Sequence, residues 1–467
     1  MGRPNVILDV TMLVTSAQLG NATEAFGVLA GGGVAAPSTS ISAPATASAE
    51  QLAWSALLQP SPDAGIGGGE RPRPSMQRVA LDQVEQLAGA ELFAQLGLRS
   101  TAELDRLSRD PRIVSALLAD PPSASATATT WRLMPGSSRK ALVEKMPRLV
   151  GNLEGIPYRT RDEANRADLS GQIAGIRKRL DSGAGRAASD ELRAELHMLQ
   201  QVQKALEPTR GIPRELIALN TAGEGTAVIS IGELDTADYV SYLVPGMFYG
   251  VDSRLVPWTG IAADLAADQR SWLNRLGRGD QRAAVLSWIG YQTPSLVDVA
   301  SMSDAREGSA ALSASLRGLT TARSARPPYV SVLAHSYGAT AALLALESGR
   351  AGPRVDALAM VGSPGSPAQD VGELAVTEGN VWVGAARWDP ISQSGVFGSQ
   401  PTSSAYGARR MGVDGGTDPV TSERLAGTVS HNDYFTPGSE TLRNFALIGI
   451  DANEYVLQPG GRMLAAG

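Results

Sequence analysis

Residues 329–345, Tyr-Val-Ser-Val-Leu-Ala-His-Ser-Tyr-Gly-Ala-Thr-Ala-Ala-Leu-Leu-Ala, constrain the fold of this chain more than any other stretch. They read as a buried strand, a one-serine turn at Ser336 and a helix of small residues, which is the pattern of a nucleophile elbow. So sharp a turn strains the serine backbone and brings strand and helix almost into contact. Small side chains are needed two positions to either side, and Ala334 and Gly338 supply them. Ser336 is therefore the candidate nucleophile; the alternative is a purely structural turn.

The sequence around the elbow predicts a sheet that can use it. From Pro213 onward, apolar β-branched runs alternate with amphipathic helices, as in a parallel sheet covered on both faces. Candidate strands are Ala227–Ile231, Val240–Val244, Ala283–Ile289, Tyr329–Leu333, Ala357–Val361 and Val381–Ala385. Ile261, Leu265, Trp272 and Leu276 mark one intervening helix, and Leu312, Leu316 and Leu319 another. The expected fold class is α/β, a doubly wound and mostly parallel sheet over 211–460.

Upstream of that sheet the composition changes twice. Residues 1–74 are rich in Ala, Gly, Ser, Thr and Pro and are expected to be a flexible segment. Residues 75–130 predict a small helical unit closed by a linker at Pro121-Pro122, and 131–210 predict a helical hairpin. One hairpin helix carries Leu169, Ile173, Ile176 and Leu180, the other Leu192, Leu196, Leu199, Val202 and Leu206. Such stripes are packing faces, and the hairpin either covers the sheet or caps the site.

Charge and composition narrow the chemistry. Of the 467 residues, 41 are Lys or Arg and 47 are Asp or Glu, a net charge of -6 with no long basic run, so no nucleic-acid partner is expected. There is no cysteine, which removes disulfides and thiolate chemistry. Neither Val6–Val14 nor Phe26–Ala36 approaches the roughly 18 apolar residues of a membrane span, so no transmembrane helix is predicted. Arg3 ahead of Val6–Val14 and the small-residue run at 43–49 make only a weak leader, and the cytoplasm is favoured over secretion. No Gly-x-Gly-x-x-Gly follows a strand, and neither a Walker loop nor His-Glu-x-x-His occurs, so no cofactor or metal is expected.

A serine hydroxyl needs a base, most often a histidine, whose free pKa is about 6.5. Only three histidines are present. His197 lies on the hairpin, and His335 adjoins the serine where the elbow directs neighbours apart, which suits packing or hydrogen bonding beneath the turn. His431, in the polar loop Val429–Ser439 after every strand, is left as base. The acid is expected after a late strand, between serine and histidine. Asp389, in Arg387-Trp388-Asp389-Pro390, stands there, with a turn cap as its other reading and Asp414 and Asp418 as reserves. For the oxyanion, the Tyr337 amide and the Met247 amide in Pro245-Gly246-Met247-Phe248 are the candidate donors, with Gly246 permitting close approach; a simple Pro-Gly turn is the alternative. Gly362 and Gly365, around Ser363-Pro364, are expected to shape the pocket floor.

The runs Leu149–Pro157, Asp162–Arg166, Tyr242–Gly246, Ala334–Gly338, Val361–Gly365, Asp389–Ile391 and Pro437–Asn444 together resemble an actinobacterial α/β-hydrolase family catalogued as a domain of unknown function. The resemblance covers roughly 130–450. It implies Ser336 as nucleophile, Asp389 as acid and His431 as base, without supplying a substrate. Met247-Phe248-Tyr249, where the pattern has small or hydroxylated residues, and Trp388 ahead of the acid depart from it, and their bulk is expected to narrow the pocket. The Asp389-Pro-Ile run is also similar to the acid segment of cutinases, whose cysteines are absent here.

The expected activity is a serine hydrolase of esterase or lipase type acting on a small-molecule or lipid ester. An acyltransferase using the same residues and an inactive hydrolase-fold binding module are the alternatives. Residues 392–429 form a long connection expected to be either a lid or a disordered insertion. Oligomeric state is not encoded in any motif.

Overall fold

A computed structural model describes residues 78–183, 185–209, 211–293, 301–347 and 352–463. The flexible segment expected at 1–74 and the weak leader lie outside them. Eight strands form one sheet: β1 Arg214–Asn220, β2 Thr226–Ile231, β3 Tyr239–Val244, β4 Ala283–Ile289, β5 Tyr329–His335, β6 Ala357–Val361, β7 Val381–Gly384 and β8 Arg409–Arg410. Their order is β1-β2-β4-β3-β5-β6-β7-β8. Pairing is parallel from β4 through β3, β5, β6 and β7 to β8, and only β2 runs antiparallel to both its neighbours. This is the α/β-hydrolase fold.

The period of two along each strand feeds two cores. Leu243, Leu333, Ala359 and Trp382 face one side, where the helices Val251–Arg275 and Glu440–Ile448 pack. Val240, Tyr242, Val332, Leu358 and Met360 face the other, under Ser303–Ala322 and Tyr337–Ala345. Both faces being apolar explains why these strands read as continuous hydrophobic runs.

Strand β1 was not among the sequence expectations, so the loop after Val244 follows the third strand and not the second. The strand opens with Arg214 and Glu215, which look like loop residues but are both buried. The Arg214 guanidinium finds the Ala205 carbonyl at a helix end and the Thr209 hydroxyl, at 2.5 and 2.7 Å.

The hairpin helices Tyr158–Asp181 and Arg186–Ala205 lie against this edge. Here the Asp162–Arg166 run has a structural meaning. The Leu216 amide donates to Asp162 at 2.6 Å, the Asn165 amide donates to the Leu216 carbonyl at 2.9 Å, and Arg166 donates to the Arg214 carbonyl at 2.6 Å. Side chains thus satisfy the outer backbone groups of an edge strand that would otherwise be open to pairing. Gly151 allows the approach, since a Cβ there would fall 2.0 Å from Asn165 Oδ1.

Short helices from Gly89 to Asn152 share their own core of Leu92, Phe93, Leu96, Leu104, Leu117 and Leu149. The Pro121-Pro122 run does not open a linker: Ser123 caps a helix, Ala124–Leu133, whose Trp131 is buried. Residues 392–429 neither detach nor form a disordered insertion. They contribute β8, bury Tyr406, Met411 and Val413, and end in the small β-ribbon of Gly416–Thr417 and Arg424–Leu425. Among the described residues no helix is long and apolar enough to cross a membrane.

Candidate active site

Ser336 sits between β5 and the helix Tyr337–Ala345 with φ 54° and ψ -130°. This left-handed geometry is strained for a residue with a Cβ. It is held from both sides. The Ser336 amide donates to the Val361 carbonyl at 3.0 Å, and Gly338 lies where a Cβ would come 2.1 Å from the Pro245 carbonyl oxygen.

Three side chains predicted to act together are brought into one hydrogen-bonded line. His431 Nε2 is 2.8 Å from Ser336 Oγ, and His431 Nδ1 is 2.9 Å from Asp389 Oδ1. Asp389 also accepts from the Ile391 and Ser392 amides at 3.0 and 3.3 Å, so the turn at Pro390 and the hydrogen bond to His431 share one carboxylate oxygen. All three are buried, with 4% exposure at Ser336, 9% at His431 and 1% at Asp389. Burial by itself would raise the Asp389 pKa, but hydrogen bonds from His431, Tyr434 and the Ser392 amide, with the nearby imidazole charge, outweigh it and hold the carboxyl below its usual value.

Two further residues complete this geometry: Tyr434, which sequence reasoning missed, and Gly362, whose contact with the imidazole it did not foresee. Tyr434 donates to Asp389 Oδ2 at 2.6 Å and accepts from the Ala386 amide at 2.8 Å. Burial, followed by the adjacent carboxylate, pushes its phenol far above the usual value, so the proton stays on the oxygen. Gly362, at φ 62°, lies under the imidazole; a Cβ there would be 2.8 Å from His431 Cε1 and 3.1 Å from Asp389 Oδ2. Tyr434 was readable only as a neighbour of His431 in one polar loop. Gly362 was placed at the pocket floor, but its contact with the imidazole depends on a segment about 70 residues away in sequence and leaves no local mark.

The loop after β3 touches the serine directly. A Cβ on Gly246 would be 2.7 Å from Ser336 Cβ and 3.3 Å from its Oγ, and the Pro245 carbonyl is fixed by the Tyr291 hydroxyl at 3.1 Å. Met247 follows, then Phe248 at φ 62°. Phe248 forms part of the wall of an open cleft of about 950 Å³ with Met198, Ala194 and Thr221, which ties the hairpin to this loop. Neither Ser336, Asp389 nor His431 lines that cleft.

The remaining candidates separate. Trp388 does not narrow a buried pocket: it is 68% exposed and lies beside the Arg387 guanidinium. Phe248 is 39% exposed at the cleft. Of the reserve acids, Asp414 is exposed and Asp418 is paired with Arg443 at 2.5 Å. His197 is exposed on its helix, beside Gln201. His335 is buried beneath the elbow, within hydrogen-bonding distance of the His431 carbonyl. Among the described residues no group of three His, Asp or Glu side chains is arranged to hold a metal.

Comparison with known proteins agrees with this fold. Residues 220–399 match the model of a family described as alpha/beta hydrolase. An uncharacterized protein of Mycobacterium tuberculosis is 29% identical over 360 residues, 68% of this chain and 54% of that protein; this chain therefore spans about half the length of that relative. An uncharacterized Mycobacterium bovis protein is 28% identical over 216 residues, 44% of this chain and 79% of its own. Similar solved structures include a hyperthermophilic esterase from Pyrobaculum calidifontis, 14% identical with a TM-score of 0.34 over 59% of this chain and 97% of that one. An esterase/lipase from an uncultured bacterium is 12% identical with a TM-score of 0.32, over 61% of this chain and 98% of its own.

Proposed function

We propose that this protein is a serine hydrolase that cleaves a carboxylic ester through an acyl-enzyme. The observation that carries the reading is the unbroken hydrogen-bonded line from Ser336 Oγ through His431 to Asp389, with the serine in strained elbow geometry. Ser336 Oγ attacks the carbonyl carbon while His431 Nε2 takes its proton. The C–O bond to the alcohol then breaks, and His431 returns the proton to that leaving oxygen. Water repeats the cycle on the acyl-serine and frees the acid. Asp389 keeps the proton of Nδ1 facing it and stabilises the imidazolium without taking the proton.

The tetrahedral oxyanion would be met by the Tyr337 amide, first in the helix after the serine, and by Met247 in the loop packed against it. Each such donor is worth about 2.7 to 4 kcal/mol at the transition state. The experiment is turnover of p-nitrophenyl esters of graded acyl length by the wild type and Ser336→Ala. Loss on the order of a millionfold in kcat is expected. Equal turnover by the two proteins would refute the assignment.

A further inference from the structure

His335 is placed to do something the elbow itself does not require. It is the last residue of β5, 4% exposed, and its ring is 4.8 Å from that of His431, centroid to centroid. Its Nε2 lies 2.9 Å from the His431 carbonyl oxygen. A carbonyl only accepts, so Nε2 carries the proton, and a neutral ring then leaves Nδ1 bare. Nδ1 is buried with no hydrogen-bond partner.

We propose that His335 is a positioning residue: its Nε2–H grips the His431 carbonyl and so holds the main chain that aims the His431 imidazole at Ser336. This rests on the reading of Ser336 and His431 given under Proposed function. The groups around the ring fit the role. Tyr434 and Phe435 pack against it with centroids at 5.8 and 5.4 Å, Phe435 edge-on, so the ring cannot swing away without opening the core. The other end of the His431 loop is tied by Ser430, whose hydroxyl donates to Asp433 at 2.7 Å, and by Tyr434, which reaches Asp389. His335 is the tie at the residue that moves the proton.

A neutral donor is the chemistry this position calls for. His431 becomes an imidazolium during the reaction, and a cation in van der Waals range would oppose it. Burial, reinforced by the His431 ring, pushes the His335 imidazole down to about 3, and the hydrogen bond to the His431 carbonyl and the nearby Asp389 carboxylate only partly offset this. The ring therefore donates a hydrogen bond without bringing charge. A lysine could donate but would add charge; a leucine would leave the His431 carbonyl buried and unpaired.

The test compares His335→Leu, which removes the donor, with His335→Gln, which keeps a neutral N–H near Nε2. On a p-nitrophenyl ester, the leucine variant should lose about 10- to 100-fold in kcat with KM within about twofold, and the glutamine variant should regain most of that loss. A second reading uses the intact wild type: ¹⁵N NMR should show the His335 ring neutral, in the Nε2–H form, with a slowly exchanging ring proton. A folded leucine variant with wild-type kcat would overturn the proposal, as would an Nδ1–H ring. Should the leucine chain fail to fold, the glutamine variant and the NMR tautomer decide. If the wild type neither turns over esters nor is captured by a serine-reactive probe, the functional reading fails, and the tautomer still decides the His335 bond.

Discussion

Tyr434 and His431 hold opposite oxygens of one carboxylate: the phenol donates to Asp389 Oδ2 at 2.6 Å while the imidazole sits 2.9 Å from Oδ1. Asp389 is thereby fixed in rotation as well as position. The Ile391 and Ser392 amides add to the hold on Oδ1, so Tyr434 is the side chain that secures Oδ2.

Tyr434→Phe keeps the ring and deletes both the donor to Asp389 and the acceptor for the Ala386 amide. Stability should fall by about 1 to 3 kcal/mol, because a buried amide loses its partner. The Asp389 carboxyl should also titrate at higher pH than in the wild type. Urea unfolding and an NMR titration of the Asp389 carboxyl measure these two effects; a variant with wild-type values in both would show that the phenol is incidental.

Gly362→Ala tests how tightly the imidazole is seated. The backbone there is left-handed, at φ 62°, and the added methyl would come 2.8 Å from His431 Cε1. Strain of about 1 to 2 kcal/mol is expected from the dihedral alone. Displacing the ring should cost on the order of 100-fold in kcat. Unaltered turnover would mean that the His431 loop tolerates movement.

Stability should depend on pH through buried groups with opposite signs. The Asp389 carboxyl is held below its unfolded value, so the stability it contributes is present above about pH 4 and is lost as pH falls through its folded value. His335 acts in the same direction. Its pKa drops to about 3 on folding, so the unfolded chain takes up a proton below about pH 6.5 that the folded chain refuses. Glu215 opposes both, because burial pushes it up to about 7 and its penalty grows as pH rises toward that value. The His335 share is isolated by comparing the wild type with His335→Gln at pH 6.5 and pH 5. The wild type should lose about 2 kcal/mol more over that interval, and equal losses would show that His335 titrates normally in the fold.

Arg443→Leu separates stability from chemistry. It leaves Asp418 buried without its cation, which should cost about 3 to 5 kcal/mol. Because Asp418 is committed to this pair, kcat measured well below the melting midpoint should stay near wild type. A selective loss of kcat would reopen Asp418 as an acid in the reaction.

What could be read from the chain was what short-range physics writes into it. The elbow is local: a β-rich strand, one serine and small residues at Ala334 and Gly338. The central strands are local too, since burial on both faces forces continuous apolar runs. His431 followed from elimination and Asp389 from chain order, and the structure brings both into line with Ser336. The features that escaped depend on distant partners. Arg214 and Glu215 disguised β1 because their burial is made possible by other segments, such as the Ala205 carbonyl and the Leu234 amide. One miss was local: Ser123, directly after the Pro-Pro run, caps a helix through the Ala126 amide. Trp388 read as a pocket residue because its exposure is set by the turn that buries Asp389.

The central claim is that Ser336 Oγ becomes acylated, and covalent capture tests it most directly. The intact chain treated with a fluorophosphonate probe and mapped by peptide mass spectrometry should carry one adduct, on Ser336, absent from Ser336→Ala and much slower to form in His431→Ala. A folded wild type that takes up no probe, or carries it on another residue with Ser336 unmodified, would contradict the account.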